Sequence, residues 1–395
     1  MDFGATATTG IAASTVYRLR RALGLNGPVK VVEPYQMLGE VDAELREALG
    51  IDVVGLGGRD NMFGFPNEDW KPWELFDGTP VLVPGKFNTE PEPNGDILMY
   101  PQGDRSAPPC ARMPEGGYYF DSIVRQPPID EDNLRVEDNL EEFGPISDES
   151  LAFLRDSAAE LADTGLGVVG SFADTGFGYI ALVPAPFVKH PKGIRDVEEW
   201  YISTVTRREH VREIFARQCE IALENLQRIR PAVEEVVDVL FITGTDFGTQ
   251  RGPFISRDAY RDLYMPFHRR VNDWVHANTT WRTFIHSCGG VEPLIPDFIE
   301  AGFDVLNPVQ CSAADMDPCH LKETYGDDIV FWGGGIDTQK TLPFGTPDEV
   351  REQVRERVEV FGEGGGFVFN AIHNVQANTP IENLVAMFET FDDVR

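Results

Sequence analysis

Between Thr283 and Leu306 the chain reads TFIHSCGGVEPLIPDFIEAGFDVL. An apolar run from Thr283 to His286 meets a polar turn, then an apolar-periodic stretch from Val291 to Ala301 stopped by Gly302, then a second apolar run from Asp304 to Leu306. Strand, helix with a C-terminal glycine, and strand make one βαβ unit. The pattern repeats on both sides, with strands expected at Gly165 to Gly170, Val237 to Thr243, Ile329 to Trp332 and Gly366 to Phe369. Helices are expected at Ser150 to Ala162, Arg257 to Ala277, Pro318 to Tyr325 and Pro347 to Phe361. Capping boxes are expected at Thr206-Arg207-Arg208-Glu209, Thr346-Pro347-Asp348-Glu349 and Thr379-Pro380-Ile381-Glu382, where hydroxyl and carboxylate satisfy free backbone donors. Apolar strands alternating with helices imply a parallel sheet covered by helices. At 395 residues an α/β fold closed as a (β/α)8 TIM barrel is the most economical solution. A doubly wound open sheet is the alternative, but no strand is followed by G-x-G-x-x-G.

Upstream, an amphipathic stretch runs from Thr15 to Leu23, followed by an extended Val31-Val32-Glu33, a helix from Glu40 to Leu49 and a strand from Ile51 to Leu56. From Gly57 to Glu149 the texture changes to dense proline, glycine and acid, with short runs such as Val81-Leu82-Val83 and Ile97-Leu98-Met99-Tyr100 that read as hairpin strands. Apolar residues are too sparse there for a separate core. Residues 57–149 therefore read as an insertion or lid within a single domain spanning 1–395. The long helix after Thr206 places Val211, Ile214, Phe215, Cys219, Ala222, Leu226 and Ile229 on one stripe, which makes Cys219 a packing residue.

Sixty-five acidic against 34 basic residues give a net charge of −31, and only seven of the basic residues are lysine. Such a surface repels phosphate backbones and anionic lipids, so neither nucleic acid nor membrane is an expected partner. Five scattered cysteines do not form a secreted disulfide framework. No signal-like start or membrane-length apolar run occurs, and a cytoplasmic, soluble protein acting on a small molecule is expected.

In a barrel of this kind chemistry gathers where strands end. Those positions carry Asp246 and Gln250, then His286 and Cys288, then Asn307 and Gln310, then Asp337 and Gln339, then Asn370, His373 and Asn374. Asp246, Asp337 and Gln310 are the expected catalytic groups, and Gln250, Asn307, Gln339 and Asn374 the expected substrate contacts. An imidazole and a thiol two residues apart supply half of a soft-metal site such as zinc's. His373 is the best third ligand and Cys311 its competitor. Three protein ligands leave an open, catalytic position. Cys319-His320 lies in an expected helix, where neighbours diverge by about 100°, and is set aside. The triple glycines at 333–335 and 364–366 neither open a helix nor precede Lys-Ser/Thr, so they do not read as phosphate loops.

The runs His286-Ser287-Cys288-Gly289-Gly290, Ala301 to Gln310, Gly335-Ile336-Asp337 and Gly365 to Asn374, with Thr379-Pro380-Ile381-Glu382-Asn383, resemble the uroporphyrinogen decarboxylase superfamily. The resemblance is spread over most of the chain and is firmest from Asp246 onward. It implies a (β/α)8 barrel and either of two activities: decarboxylation of uroporphyrinogen in porphyrin biosynthesis, or methyl transfer with a corrinoid. The decarboxylase branch is similar in the histidine at His373, but carries two arginines in its N-terminal motif where this chain reads Met1-Asp2-Phe3-Gly4-Ala5-Thr6. The methyltransferase branch is similar in His286-x-Cys288, with its third zinc ligand, usually cysteine, where His373 stands. That branch implies Zn²⁺ on His286, Cys288 and His373, a small thiol or methyl ether as substrate, and a corrinoid carried by a partner protein. The resemblance also implies a helix ahead of Asp2, so the start reads as late.

Overall fold

The computed structural model describes residues 1–173 and 175–395. Seven parallel strands pair in chain order: β1 (Val53–Gly57), β2 (Gly167–Ser171), β3 (Val239–Thr243), β4 (Arg282–His286), β5 (Val305–Asn307), β6 (Val330–Trp332) and β7 (Phe367–Val368). Register runs from Gly167 opposite Val53 at one edge to Trp332 opposite Val368 at the other. Every crossover carries at least one helix, as parallel neighbours require. One buried cluster takes a side chain from each strand, Val53, Val169, Phe241, Phe284, Val305, Trp332 and Val368, together with Ala5. The sheet therefore curls around a filled apolar bore, a TIM-barrel-like α/β arrangement.

Among the described residues, the eighth strand expected from the alternation is not in this sheet. Instead, the N-terminal segment bonds to both edges. Asp52 N donates to Met1 O at 3.2 Å, and Asp2 N donates to Phe369 O at 3.0 Å. The Asp2 carboxyl accepts from Trp332 Nε1 at 3.0 Å and Ala5 N at 2.9 Å, tying the segment to the bore.

Capping boxes form where the cap is local and fail where the preceding chain intervenes. The Thr346 box forms, with hydroxyl and Glu349 carboxylate each bonded to the other's backbone. The Thr206 box does not form. Thr206 is the last residue of the helix Val197–Thr206, its hydroxyl donates to Ile202 O at 3.0 Å, and the long helix begins at Arg208 after a break at Arg207. The final helix, Ile381–Val394, starts behind an extended Pro380 with no side-chain cap, so the Thr379 box is also absent. The long helix buries the stripe read from its sequence, Cys219 included.

Within residues 57–149, Lys71–Glu74 pairs with Pro80–Val83 and a four-stranded antiparallel sheet runs from Glu90–Pro91 to Asp121–Ser122. Its Phe63, Phe65, Phe87, Met99 and Phe120 join one buried cluster with Phe3 and Val16 near the start of the chain and Leu384 and Phe388 near its end. This segment packs more apolar side chains than its composition signalled, because it shares a core with both ends of the chain. No helix among the described residues is long and apolar enough to cross a membrane.

Candidate metal centre

Alternation along β4 decides where His286 points. Ile285 joins the core between sheet and helices, whereas Phe284 faces the bore, so His286, two residues further on, faces the bore at its C-terminal end. Its ring is stacked over Phe241 at 6.5 Å between centroids, and it is 3% exposed. Nδ1 lies 2.6 Å from Asn307 Oδ1, while Asn307 Nδ2 donates to Trp332 O at 2.8 Å. The second bond fixes which end of the amide faces the ring. Nδ1 must then carry the proton, which leaves the Nε2 lone pair free.

The loop beyond β4 is fastened to the loop beyond β3. Phe247 N donates to Ser287 Oγ at 3.0 Å, Cys288 N to Asp246 Oδ1 at 2.7 Å, and Gly290 N to Thr249 O at 2.9 Å. Gly289, at φ +90°, allows this contact, since a Cβ there would lie 2.4 Å from the Gly248 carbonyl carbon. Gln310 Oε1 accepts from Gly289 N at 2.7 Å on the other side. Cys288 Sγ thereby comes to 3.4 Å from His286 Nε2.

His373, on the loop beyond β7, meets His286 edge to face at 5.6 Å between ring centroids. The ligand atoms of His286, Cys288 and His373 all lie within 4.8 Å of one another. Cys311 is not in this group; its thiol donates to Val309 O and burial pushes its pKa up to about 12. Cys319 and His320 sit in the helix Pro318–Tyr325, His320 Nε2 lying 3.1 Å from Glu292 Oε1, and neither joins the group.

Electrostatics in the group follow from burial. Desolvation lowers His286 and His373 to about 4, so both rings are neutral at pH 7 and offer lone pairs. Desolvation, then the nearby Asp246 carboxylate, holds the Cys288 thiol well above its usual value. Burial raises Asp246 as well. A thiolate beside this carboxylate needs a cation to offset it, and neutral nitrogens with a sulfur are the donor set that zinc accepts. The 3.4 Å edge between Nε2 and Sγ suits a centre roughly 2.0–2.3 Å from each ligand. The residues present fit the ion.

Two cavities share this group. One, of about 360 Å³, is walled by Tyr35, Met62, Tyr119, Phe120, Tyr179 and Ile180, and reaches Asp246, His286, Cys288 and His373. The other, of about 290 Å³, is lined by Thr249, Gln250, Gln310, Thr338, Gln339 and Ile372 and also reaches Cys288 and His373. Among the described residues, neither is lined by lysine or arginine.

Of the residues singled out from the sequence, Asp246, Gln310, Gln250 and Gln339 line one cavity or the other, Gln250 Nε2 donating to Gln339 Oε1 at 3.3 Å. Three are placed differently from expectation. Asn307 is buried, bonds to His286 Nδ1 and lines neither cavity. Asp337 lines neither cavity; its carboxylate accepts from Gln339 N at 2.7 Å and Lys340 N at 3.1 Å, capping the turn after β6. Asn374 accepts from Gly10 N at 2.6 Å and donates to Ala7 O at 2.8 Å, tethering the N-terminal segment. The aromatic wall was not anticipated. Applying the strand-end rule to β2 would have pointed to Tyr179 in the following loop.

A curled parallel sheet with a filled bore and polar groups gathered where its strands end defines a TIM-barrel-like α/β protein with its candidate site at the C-terminal mouth. The family model for uroporphyrinogen decarboxylase (URO-D) matches residues 130–394, and the chain belongs to that family. Among solved structures it is similar to a methyltransferase from Methanosarcina mazei, with a TM-score of 0.52 and 15% sequence identity over 98% of this chain and 94% of that one. At that identity the likeness concerns the fold. No curated protein matches the sequence.

Proposed function

We propose that the protein is a zinc-dependent methyltransferase that moves a methyl group from a small, uncharged aromatic methyl ether to a corrinoid carried by a partner protein. The observation that carries the reading is the meeting of His286, Cys288 and His373 at the end of an aromatic cavity without lysine or arginine. His286, Cys288 and His373 would hold the zinc ion, which would supply Lewis acidity to the ether oxygen. Two neutral imidazoles and one thiolate leave more positive charge on the ion than two thiolates would, which favours weakening an ether bond over making a strongly nucleophilic thiolate.

The chain's own groups do the rest. Asn307 aims His286, the clamped loop aims Cys288, and Tyr35, Tyr119, Phe120 and Tyr179 offer aromatic faces to an aromatic ring. The carbon–oxygen bond would break with its electron pair remaining on oxygen, the new bond to methyl would take its pair from the partner's reduced corrinoid, and the released oxygen would take a proton from water. Decarboxylation of uroporphyrinogen, the family's other activity, calls for cationic partners to a polycarboxylate, and neither cavity is lined by one. The test is anaerobic incubation of zinc-loaded protein with 2-methoxyphenol or 4-nitroanisole and cob(I)alamin, followed by the visible spectrum. Methylcobalamin is the expected product. Carbon dioxide from uroporphyrinogen with no methylcobalamin would overturn the reading.

A further inference from the structure

Tyr179 stands at the mouth on a loop that the barrel pins from below. Thr243 Oγ1 donates to Gly176 O at 2.7 Å, and Thr245 Oγ1 contacts Gly176 O at 2.8 Å and Phe177 O at 3.1 Å. Thr175 Oγ1 donates to Ile242 O. Its ring then lies on bare backbone at the end of β3: a Cβ on Gly244 would sit 2.7 Å from both Cε2 and Cζ of Tyr179. Glycine at 244 is thus the notch that receives the ring. Side chain and notch together set the phenol in the wall of the cavity that reaches Asp246, His286, Cys288 and His373.

The hydroxyl has no hydrogen-bond partner among the described residues, although every threonine around its loop is bonded. Burial, then the charges of Asp246 and Glu33, hold its ionisation above the ordinary tyrosine range, so it is a neutral donor across the working pH range. A fixed, unused donor in the wall of this cavity is the arrangement that stabilises charge developing on a substrate atom.

We propose that the Tyr179 hydroxyl donates a hydrogen bond to the substrate oxygen as its bond to the departing methyl group breaks, which makes Tyr179 a catalytic residue. The inference rests on the methyl-ether reading above. As the carbon–oxygen pair collapses onto oxygen, the hydrogen bond strengthens; Tyr179 keeps its own proton, and the methyl leaves to the reduced corrinoid. Gly244 is the positioning residue for that donor.

The test compares wild type, Tyr179→Phe and Gly244→Ala, each zinc-loaded and checked for equal zinc content. Tyr179→Phe retains the ring and the notch but loses the donor, and is expected to lower kcat about 10²- to 10³-fold, the loss seen when one such donor is removed. KM is expected to stay within about threefold, since the neutral ether gains little from the bond. The loss is smaller for 4-nitroanisole than for 2-methoxyphenol, because the nitro group spreads the charge on oxygen. A binding measurement needs no turnover: 4-nitrophenolate, titrated by its visible absorbance, should bind Tyr179→Phe about tenfold or more weakly, with 4-nitroanisole unaffected. Gly244→Ala, which pushes the ring aside, should reproduce both defects. Unchanged 4-nitrophenolate affinity in Tyr179→Phe, with kcat within about threefold of wild type, would overturn the proposal. Should wild type transfer no methyl, the methyltransferase reading fails by itself, while the phenolate comparison still decides whether Tyr179 is an oxyanion donor.

Discussion

Asn307→Ala tests whether His286 is aimed by its neighbour. The wild-type amide accepts from His286 Nδ1 at 2.6 Å and donates to Trp332 O at 2.8 Å, and the residue is fully buried. Alanine removes both bonds and leaves two polar groups unsatisfied in a dry bore. Groups that orient a ligand histidine are worth about 10- to 100-fold in metal affinity, or about 1.4–2.7 kcal/mol at 25 °C. Each stranded group costs a further ~1–3 kcal/mol of folding stability. Zinc affinity, measured by competition with a chromogenic chelator, should therefore fall at least about tenfold, and the urea midpoint should drop in the metal-free protein. Asn307→Asp keeps the acceptor and should retain more affinity than alanine. A folded Asn307→Ala protein that binds zinc as wild type does would refute the orientation argument.

Two further outcomes follow from packing and burial. Gly289→Ala forces a Cβ to within 2.4 Å of the Gly248 carbonyl at φ +90°, and should cost about 1–3 kcal/mol together with zinc affinity; Gly57→Ala, with open space around it, should cost little, and equal melting temperatures for the two would contradict the clamp. His268 is fully buried with Nδ1 3.0 Å from the Tyr260 hydroxyl, and burial lowers its pKa to about 3. Its folded value is below the unfolded one of about 6.5, so the stability it contributes is complete above that pH and is lost as pH falls, by about 1.4 kcal/mol per unit. Between pH 7 and pH 5, His268→Phe should lose about 2 kcal/mol less than wild type in urea titrations; parallel losses would show that His268 does not titrate on unfolding.

The repeat of apolar strand and helix made the sheet legible because each βαβ unit writes its own periodicity. Closure was less legible. The segment that bonds to both sheet edges, Met1 to Ala5, carries no strand signal, and its role depends on Asp2 meeting Trp332 across the whole chain. His286 and Cys288 could be read from local spacing at a strand end, and His373 from the last strand by the same rule. Asn307, Asp337 and Asn374 sit at equivalent places yet bond to backbone or to a neighbour, since a loop's polar side chains first satisfy the loop itself. The threonine at 206 misled for a related reason: a capping pattern does not reveal that its first residue still belongs to the helix before. Tyr35 lies in the turn between Val31–Glu33 and Leu38–Gly39, and Tyr119 and Phe120 in the turn before Asp121–Ser122, and only folding brings these hairpin turns over the mouth.

The central claim is that His286, Cys288 and His373 hold one zinc ion. Elemental analysis combined with zinc-edge X-ray absorption on wild type, Cys288→Ala, His373→Ala and Cys311→Ala tests it most directly. The account predicts about one zinc per chain bound through two nitrogens and one sulfur in wild type, the same in Cys311→Ala, and loss in the other two variants. Carefully purified wild type that binds no zinc, or zinc retained with its sulfur ligand in Cys288→Ala, would contradict it.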